Sequence, residues 1–240
     1  MANPAFDRAA LLSAVAPFGL LPEDAALEQL ERYAGLLTTR NQTVNLTAIV
    51  DPVGIAVRHF ADSLSVTCAV QPSGRVVDIG AGAGFPGLVL KIVWPAISLT
   101  LIEATGKKAA FLAEIVRDLD LGGVTVMAER AEDAARRPSL RERFDLAVAR
   151  AVAPLPVLAE LMLPFVAVGG TAVAYKSGDL SEEIAAARQP IALLGGGAIL
   201  GVPVEAPGLE GRSLVRIAKE RPTQDAYPRR SGLPAKRPLV

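Results

Sequence analysis

The stretch Arg75-Val-Val-Asp-Ile-Gly-Ala-Gly-Ala-Gly-Phe-Pro-Gly87 constrains this chain more than any other. Val76 and Val77 give a short buried-strand signal that Asp78 closes. Gly80, Gly82 and Gly84 follow at alternate positions, and the apolar run from Gly87 to Trp94 is helix-like. A strand that enters a helix through such a loop lets backbone approach a nucleotide-like ligand closely. The G-x-G-x-G spacing departs from the G-x-G-x-x-G of dinucleotide loops, which rest a pyrophosphate on a helix N-terminus. Asp78, an acid beside the loop, suits a cation better than a pyrophosphate. S-adenosylmethionine (SAM), with its amino group and sulfonium, therefore fits these residues better than NAD.

The surrounding pattern sets the architecture. Residues 22–40 predict a helix, with Pro22, Glu23 and Asp24 at its start and Leu27, Leu30, Ala34 and Leu37 as its apolar stripe. Asp51-Pro52 reads as an N-cap and first turn. The helix it opens puts Val53, Val57, Phe60, Leu64 and Cys68 on one face, with Arg58 one turn from Asp62 and His59 one turn from Ser63. Strands are predicted at 75–79, 97–103, 123–128, 144–149 and 169–175, and helices at 86–93, 107–119, 154–164 and 180–188. That alternation implies a mostly parallel sheet covered on both faces. Residues 195–206 and 212–220 then read as an antiparallel pair, and the four prolines of the last stretch predict irregular chain. The expected fold is α/β, a class I SAM-dependent methyltransferase core with a Rossmann-like, seven-stranded, mostly parallel sheet. Residues 1–70 form an N-terminal helical extension, 71–220 the core, and 221–240 a basic tail packed on or near it.

Net charge is zero but unevenly placed. Residues 1–35 carry two arginines against five carboxylates, whereas residues 221–240 carry five basic side chains against Asp225. A basic tail can meet phosphate, and the same charges equally suit a solvated terminus. The single cysteine, Cys68, excludes an intrachain disulfide and a cysteine zinc site, which fits a reducing cytoplasm. The N-terminus does not read as a signal peptide, and the apolar runs fall short of the ~20 residues that span a bilayer. A cytoplasmic protein without membrane contact is expected.

Further residues specify chemistry. Glu103 closes the second strand, where an acid in such sheets accepts hydrogen bonds from ribose hydroxyls; a solvated strand-end carboxylate is the plainer reading. Lys107 and Lys108 open a helix, the unfavourable end for cations, which points to contact with an anion unless they are ordinary surface lysines. Ala131, Glu132 and Asp133 follow the third strand, at the loop that reaches an adenine edge. The fourth strand ends in Ala149-Arg150-Ala151-Val152, without the Asn/Asp-Pro-Pro-aromatic motif of exocyclic-amine methyltransferases. Cys68 lies far from the place where carbon-5 pyrimidine methyltransferases keep a nucleophile. A target that is already nucleophilic, such as guanine nitrogen 7, needs no general base, so catalysis would rest on positioning and desolvation. His59, the only histidine, cannot build a metal cluster; it reads as a structural polar residue or a pocket contact, and no metal is expected.

The combined pattern resembles the bacterial RsmG family, also called GidB, from about residue 25 to the C-terminus. The resemblance is carried by Asn45-Leu46-Thr47, Arg58-His59 with Asp62-Ser63, the loop 78–87, Gly106-Lys107-Lys108 with Phe111-Leu112, Arg150-Ala151, Lys176-Ser177-Gly178 and Tyr227-Pro228-Arg229-Arg230. It implies methylation of guanine nitrogen 7 in 16S ribosomal RNA, with SAM as methyl donor and S-adenosylhomocysteine as product. SAM contacts are then expected at Gly80, Phe85, Ala131, Glu132 and Arg150, with Glu103 near the ribose; Asp78 and Gly82 of the loop join them. Arg150, His59 and Arg58 are candidates for positioning the reactants, and Arg58, Lys107, Arg229 and Arg230 for RNA contact. The partner is 16S ribosomal RNA or the small ribosomal subunit, and a monomer is expected. Arg212 draws no role from the resemblance. Two other readings stay open: a methyltransferase of the same fold acting on another RNA, a protein or a small molecule, and a non-catalytic nucleotide-binding module.

Overall fold

In a computed structural model that describes residues 5–240, seven strands form one sheet. They are β1 (Arg75–Ile79), β2 (Ser98–Ile102), β3 (Val124–Met127), β4 (Phe144–Arg150), β5 (Val166–Ser177), β6 (Gly196–Pro203) and β7 (Arg212–Lys219). Their order is β3-β2-β1-β4-β5-β7-β6. The first five pair in parallel, and β7 enters antiparallel between β5 and β6. Strand alternation sends Val76, Leu99, Leu101, Leu146 and Val148 to one face, and Val77, Ile79, Ala147 and Ala149 to the other. Both faces are apolar because both are covered, as parallel crossovers require.

The first face packs against α1 (Arg8–Val15), α2 (Asp24–Val44), α4 (Gly87–Val93) and α5 (Gly106–Asp118). The helical extension therefore shares one core with the sheet. Asp7 caps α1 by accepting from the Ala10 N–H at 2.9 Å. The second face packs against α7 (Leu155–Met162) and α8 (Ser181–Leu193). No helix among the described residues is long and apolar enough to cross a membrane.

The helix opened by Asp51 departs from its predicted periodicity. We call it α3: a regular turn at Pro52–Gly54, a wide π-helical stretch at Ile55–Ala61, and a regular turn at Asp62–Leu64. Asp62 N–H donates back to Val57 O, five residues away, so the apolar stripe slips. Val53 is 49% exposed and Cys68 is exposed, instead of sharing the inner face with Val57, Phe60 and Leu64. Buried in their place are polar groups, His59, Asp62 and Ser63.

The tail is strapped down. Arg141 donates to the carbonyls of Tyr227 at 2.8 Å and Thr223 at 2.7 Å, and Arg136 donates to Pro228 O at 2.6 Å. The tail also contains a short helix, α9 (Leu233–Lys236), where its prolines predict irregular chain. Pro234 is tolerated there because the first turn has no use for its missing N–H.

Candidate active site at the ends of β1 and β4

Strand order reverses between β1 and β4, so the loops after their C-terminal ends diverge and leave a crevice. Three contiguous cavities occupy it. One, of about 230 Å³, lies over the glycine loop and is bounded by Gly80, Gly82, Phe85, Glu103, His59 and Arg150. A second, of about 220 Å³, shares Gly80 and is closed by Ala131, Glu132 and Leu161. The third, of about 440 Å³, lies beyond β4 and β5 and shares Arg150 and Ala151 with the first, and Val152 and Ala153 with the second.

The loop leaves β1 with Gly80 at φ 69° and Gly82 at φ 60°, a left-handed backbone that glycine adopts without strain. A Cβ on Gly80 would lie 2.8 Å from Val152, so that glycine is needed for the close approach of the β4 loop. A Cβ on Gly82 would meet only Gly80 O, at 3.8 Å, so its missing side chain is open space over the loop. Glu103 is buried and holds that loop: its carboxylate accepts from Gly82 N–H at 2.9 Å and Thr105 N–H at 2.7 Å. Ala151, just past β4, carries φ 57°, an uncommon left-handed value for a residue with a Cβ, at the junction of two cavities.

Asp78 sits apart from this space. It is fully buried, Oδ2 accepts from Gly87 N–H at 2.8 Å, and Oδ1 has no partner among the described residues. Burial pushes its carboxyl up to about 7, against the opposing pull of the Gly87 N–H and the Arg150 charge. It lines none of the three cavities and sits under the loop.

Arg150 is the hub between sheet and extension. Its Nη1 donates to Asp62 Oδ2 at 2.7 Å and to the carbonyl of Arg58 at 3.2 Å, and its guanidinium lies 5.1 Å from the Phe85 ring centroid. Both members of the ion pair are largely shielded from water. Arg212 reaches the same Asp62 at 3.6 Å, a contact between β7 and α3 that has no sequence signal. His59 stacks on Phe85 with centroids 4.4 Å apart and contacts Thr47 Oγ1 through Nε2 at 2.7 Å. Burial, then the charges of Arg150 and Arg58, lower its pKa to about 3, so the ring is neutral at ordinary pH.

The structure brings Gly80, Gly82, Phe85, Glu103, His59 and Arg150 to one cavity and Ala131 and Glu132 to the next. Ala131 and Glu132 belong to a short helix, α6 (Ala131–Ala134), and Glu132 Oε1 accepts from the tail at Gly232 N–H, 2.8 Å away. Gly232 and Ala235 complete that cavity, so the tail walls it. Arg58 is exposed and paired with Asp51 at 2.9 Å, not with Asp62. Lys107 and Arg230 are exposed, and Lys108 lines the glycine-loop cavity. Arg229 is engaged elsewhere: its Nη2 lies 2.7 Å from Glu160 Oε2, and Glu160 is fully buried. Lys176 and Glu183, which form a 2.6 Å ion pair in the 440 Å³ cavity, were not among the expected site residues. Their one sequence signal is Lys176 at a strand end within Lys176-Ser177-Gly178.

SAM fits the residues present. The open face of Gly82, the carboxylate of Glu103 and the cavity walled by Ala131 offer a close backbone, an acceptor and an apolar pocket in sequence around Gly80.

The sequence that builds this crevice matches a known family. The family model described as "GidB: rRNA small subunit methyltransferase G" matches residues 26–200. The protein named "Ribosomal RNA small subunit methyltransferase G" of Roseiflexus castenholzii is 49% identical over 234 residues, covering 96% of this chain and 99% of that one. Its namesake in Roseiflexus sp. (strain RS-1) is 48% identical, covering 95% and 98%. Among solved structures, a Methanococcus jannaschii fibrillarin pre-rRNA processing protein aligns with a TM-score of 0.52 at 14% identity, over 67% of this chain and 76% of that one, a likeness of fold. Matches along nearly the whole length place this chain in the rRNA small subunit methyltransferase G family.

Proposed function

We propose that this protein transfers a methyl group from SAM to ring nitrogen 7 of a guanine in 16S ribosomal RNA. The observation that carries the proposal is the junction at Arg150 and Ala151, where the glycine-loop cavity opens into the larger cavity at the ends of β4 and β5. Gly80, Gly82 and Glu103 would hold the methionine and ribose parts of SAM, and Ala131 and Glu132 would flank its adenine. Bound there, SAM supplies an electrophilic methyl on a sulfonium. The family's name supports ribosomal RNA as the acceptor.

The chain's own residues favour an acceptor that needs no deprotonation. His59 is neutral and a weak base, held between Thr47 and Phe85. Arg150 is a permanent cation and cannot take a proton. Guanine nitrogen 7 has a free in-plane lone pair, so these residues need only orient it and exclude water. Asp62 fixes the Arg150 guanidinium against Phe85 and so shapes the wall between the two cavities. Arg58, Lys107 and Arg230 are exposed cations suited to RNA phosphates. The test is a comparison of 16S ribosomal RNA from cells with and without the gene. Loss of one 7-methylguanosine in the gene-less cells is the expected result; an unchanged modification map refutes the proposal.

A further inference from the structure

The 440 Å³ cavity has a polar wall formed by Lys176 and Glu183. Glu183, from the first turn of α8, accepts through Oε1 from Lys176 Nζ at 2.6 Å and from Leu155 N–H at 2.5 Å. Lys176, near the end of β5, also donates to Ala153 O at 2.9 Å. The pair is thus pinned to the segment that follows Ala151 and Val152. Its side chains are only 13% and 26% exposed. Glu183 Oε2 has no hydrogen-bond partner among the described residues, and Glu183 is the one carboxylate that lines this cavity among them.

From this wall we infer that Glu183 reads the N1–H and N2-amino edge of the target guanine, while Lys176 marks oxygen 6. This inference rests on the guanine nitrogen 7 reading. Guanine presents two donors on its Watson–Crick edge, and a carboxylate with a free oxygen accepts from them; adenine offers an acceptor at N1 and is rejected. Oxygen 6 and nitrogen 7 lie side by side as acceptors. An arginine fork would cover both, whereas the single ammonium of Lys176 holds oxygen 6 and leaves nitrogen 7 free. Methylation forms a bond from nitrogen 7 to carbon and breaks the bond from that carbon to sulfur, leaving the electron pair on sulfur. No proton moves, and the positive charge passes to the base. Glu183 stands against that charge, while the Arg150 charge is answered by Asp62 at 2.7 Å. Arg212, half-exposed and 3.6 Å from the same Asp62, is the remaining cation of the wall and suits a phosphate.

The experiment compares single-turnover methylation of small-subunit RNA carrying guanosine, inosine or 7-deazaguanosine at the target, with SAM binding followed separately by calorimetry. Inosine lacks only the N2 amino group. Wild type should methylate the inosine RNA roughly tenfold more slowly, the scale of one hydrogen bond to a charged group. Glu183→Gln keeps an oxygen for Leu155 and Lys176 but turns an amide N–H₂ toward the base. It should lose at least tenfold on guanosine and discriminate guanosine from inosine by less than twofold, with SAM affinity within twofold of wild type. Equal wild-type rates on guanosine and inosine overturn the inference without any variant. A Glu183→Gln protein that keeps the wild-type discrimination overturns it as well. Methylation of the 7-deazaguanosine RNA refutes instead the nitrogen 7 reading beneath it.

Discussion

Replacing Asp78 with Asn removes a charge that the fold buries without a complete set of partners. Oδ2 accepts from Gly87 N–H at 2.8 Å, and Oδ1 is buried and unpaired. An asparagine oxygen can keep the first contact. Burial lifts the folded-state pKa from an ordinary 3.8 to about 7. Across that window the folded protein keeps a proton that the unfolded chain has released, so stability falls as pH rises and levels off above about 7. The full shift is worth about 4 kcal/mol, at about 1.4 kcal/mol per tenfold change in proton affinity. The variant should match wild type near pH 4 and exceed it at pH 8. In a chain of this size even about 1 kcal/mol moves Tm by about 2–4 °C. Thermal unfolding of both proteins from pH 4 to 8 reads the difference directly. Parallel Tm curves for the two proteins would refute the burial argument.

Gly82→Val should fold, with about 1–2 kcal/mol of backbone strain at its positive φ, because its added Cβ meets only Gly80 O; its side chain should block SAM, and unchanged affinity in calorimetry would remove the loop from the site. Arg229→Ala should cost about 3 kcal/mol in denaturant unfolding by stranding the buried Glu160, and should leave the salt dependence of RNA binding unchanged. A flatter salt slope in that variant would restore Arg229 as a phosphate contact. His59 is the only histidine, so its ring proton resonances are unambiguous; they should show no titration between pH 5 and 8, and a midpoint near 6.5 would contradict the buried, cation-flanked geometry.

The parts that could be read from sequence are those governed by local pattern. Apolar runs such as Val76-Val77 and Leu146-Ala147-Val148 mark the central strands, and the style change after residue 195 marks the antiparallel edge. The glycine loop was legible because its backbone conformation demands glycine at fixed spacing. Reading α3 at the ordinary helical period placed Val53 and Cys68 inward, and the π-helical turns of Ile55–Ala61 defeat that reading. Long-range pairing was also hidden. Nothing local tells that Arg229 meets Glu160, that Glu132 holds Gly232, or that Asp62 gathers Arg150 and Arg212. Each partner choice depends on how the tail and β7 cross the sheet, which the residue pattern leaves open. Arg229 thus looked like a free cation in the sequence and is a buried-pair partner in the fold.

Methyl-labelled SAM provides the most direct test of the proposed methyl transfer to guanine nitrogen 7 of 16S ribosomal RNA. Purified protein would be incubated with bare 16S RNA and with small ribosomal subunits, and the digested nucleosides resolved by mass spectrometry. Label on 7-methylguanosine, at a single position of the RNA, is the predicted result. No transfer to either substrate, or label on any other nucleoside, would contradict it.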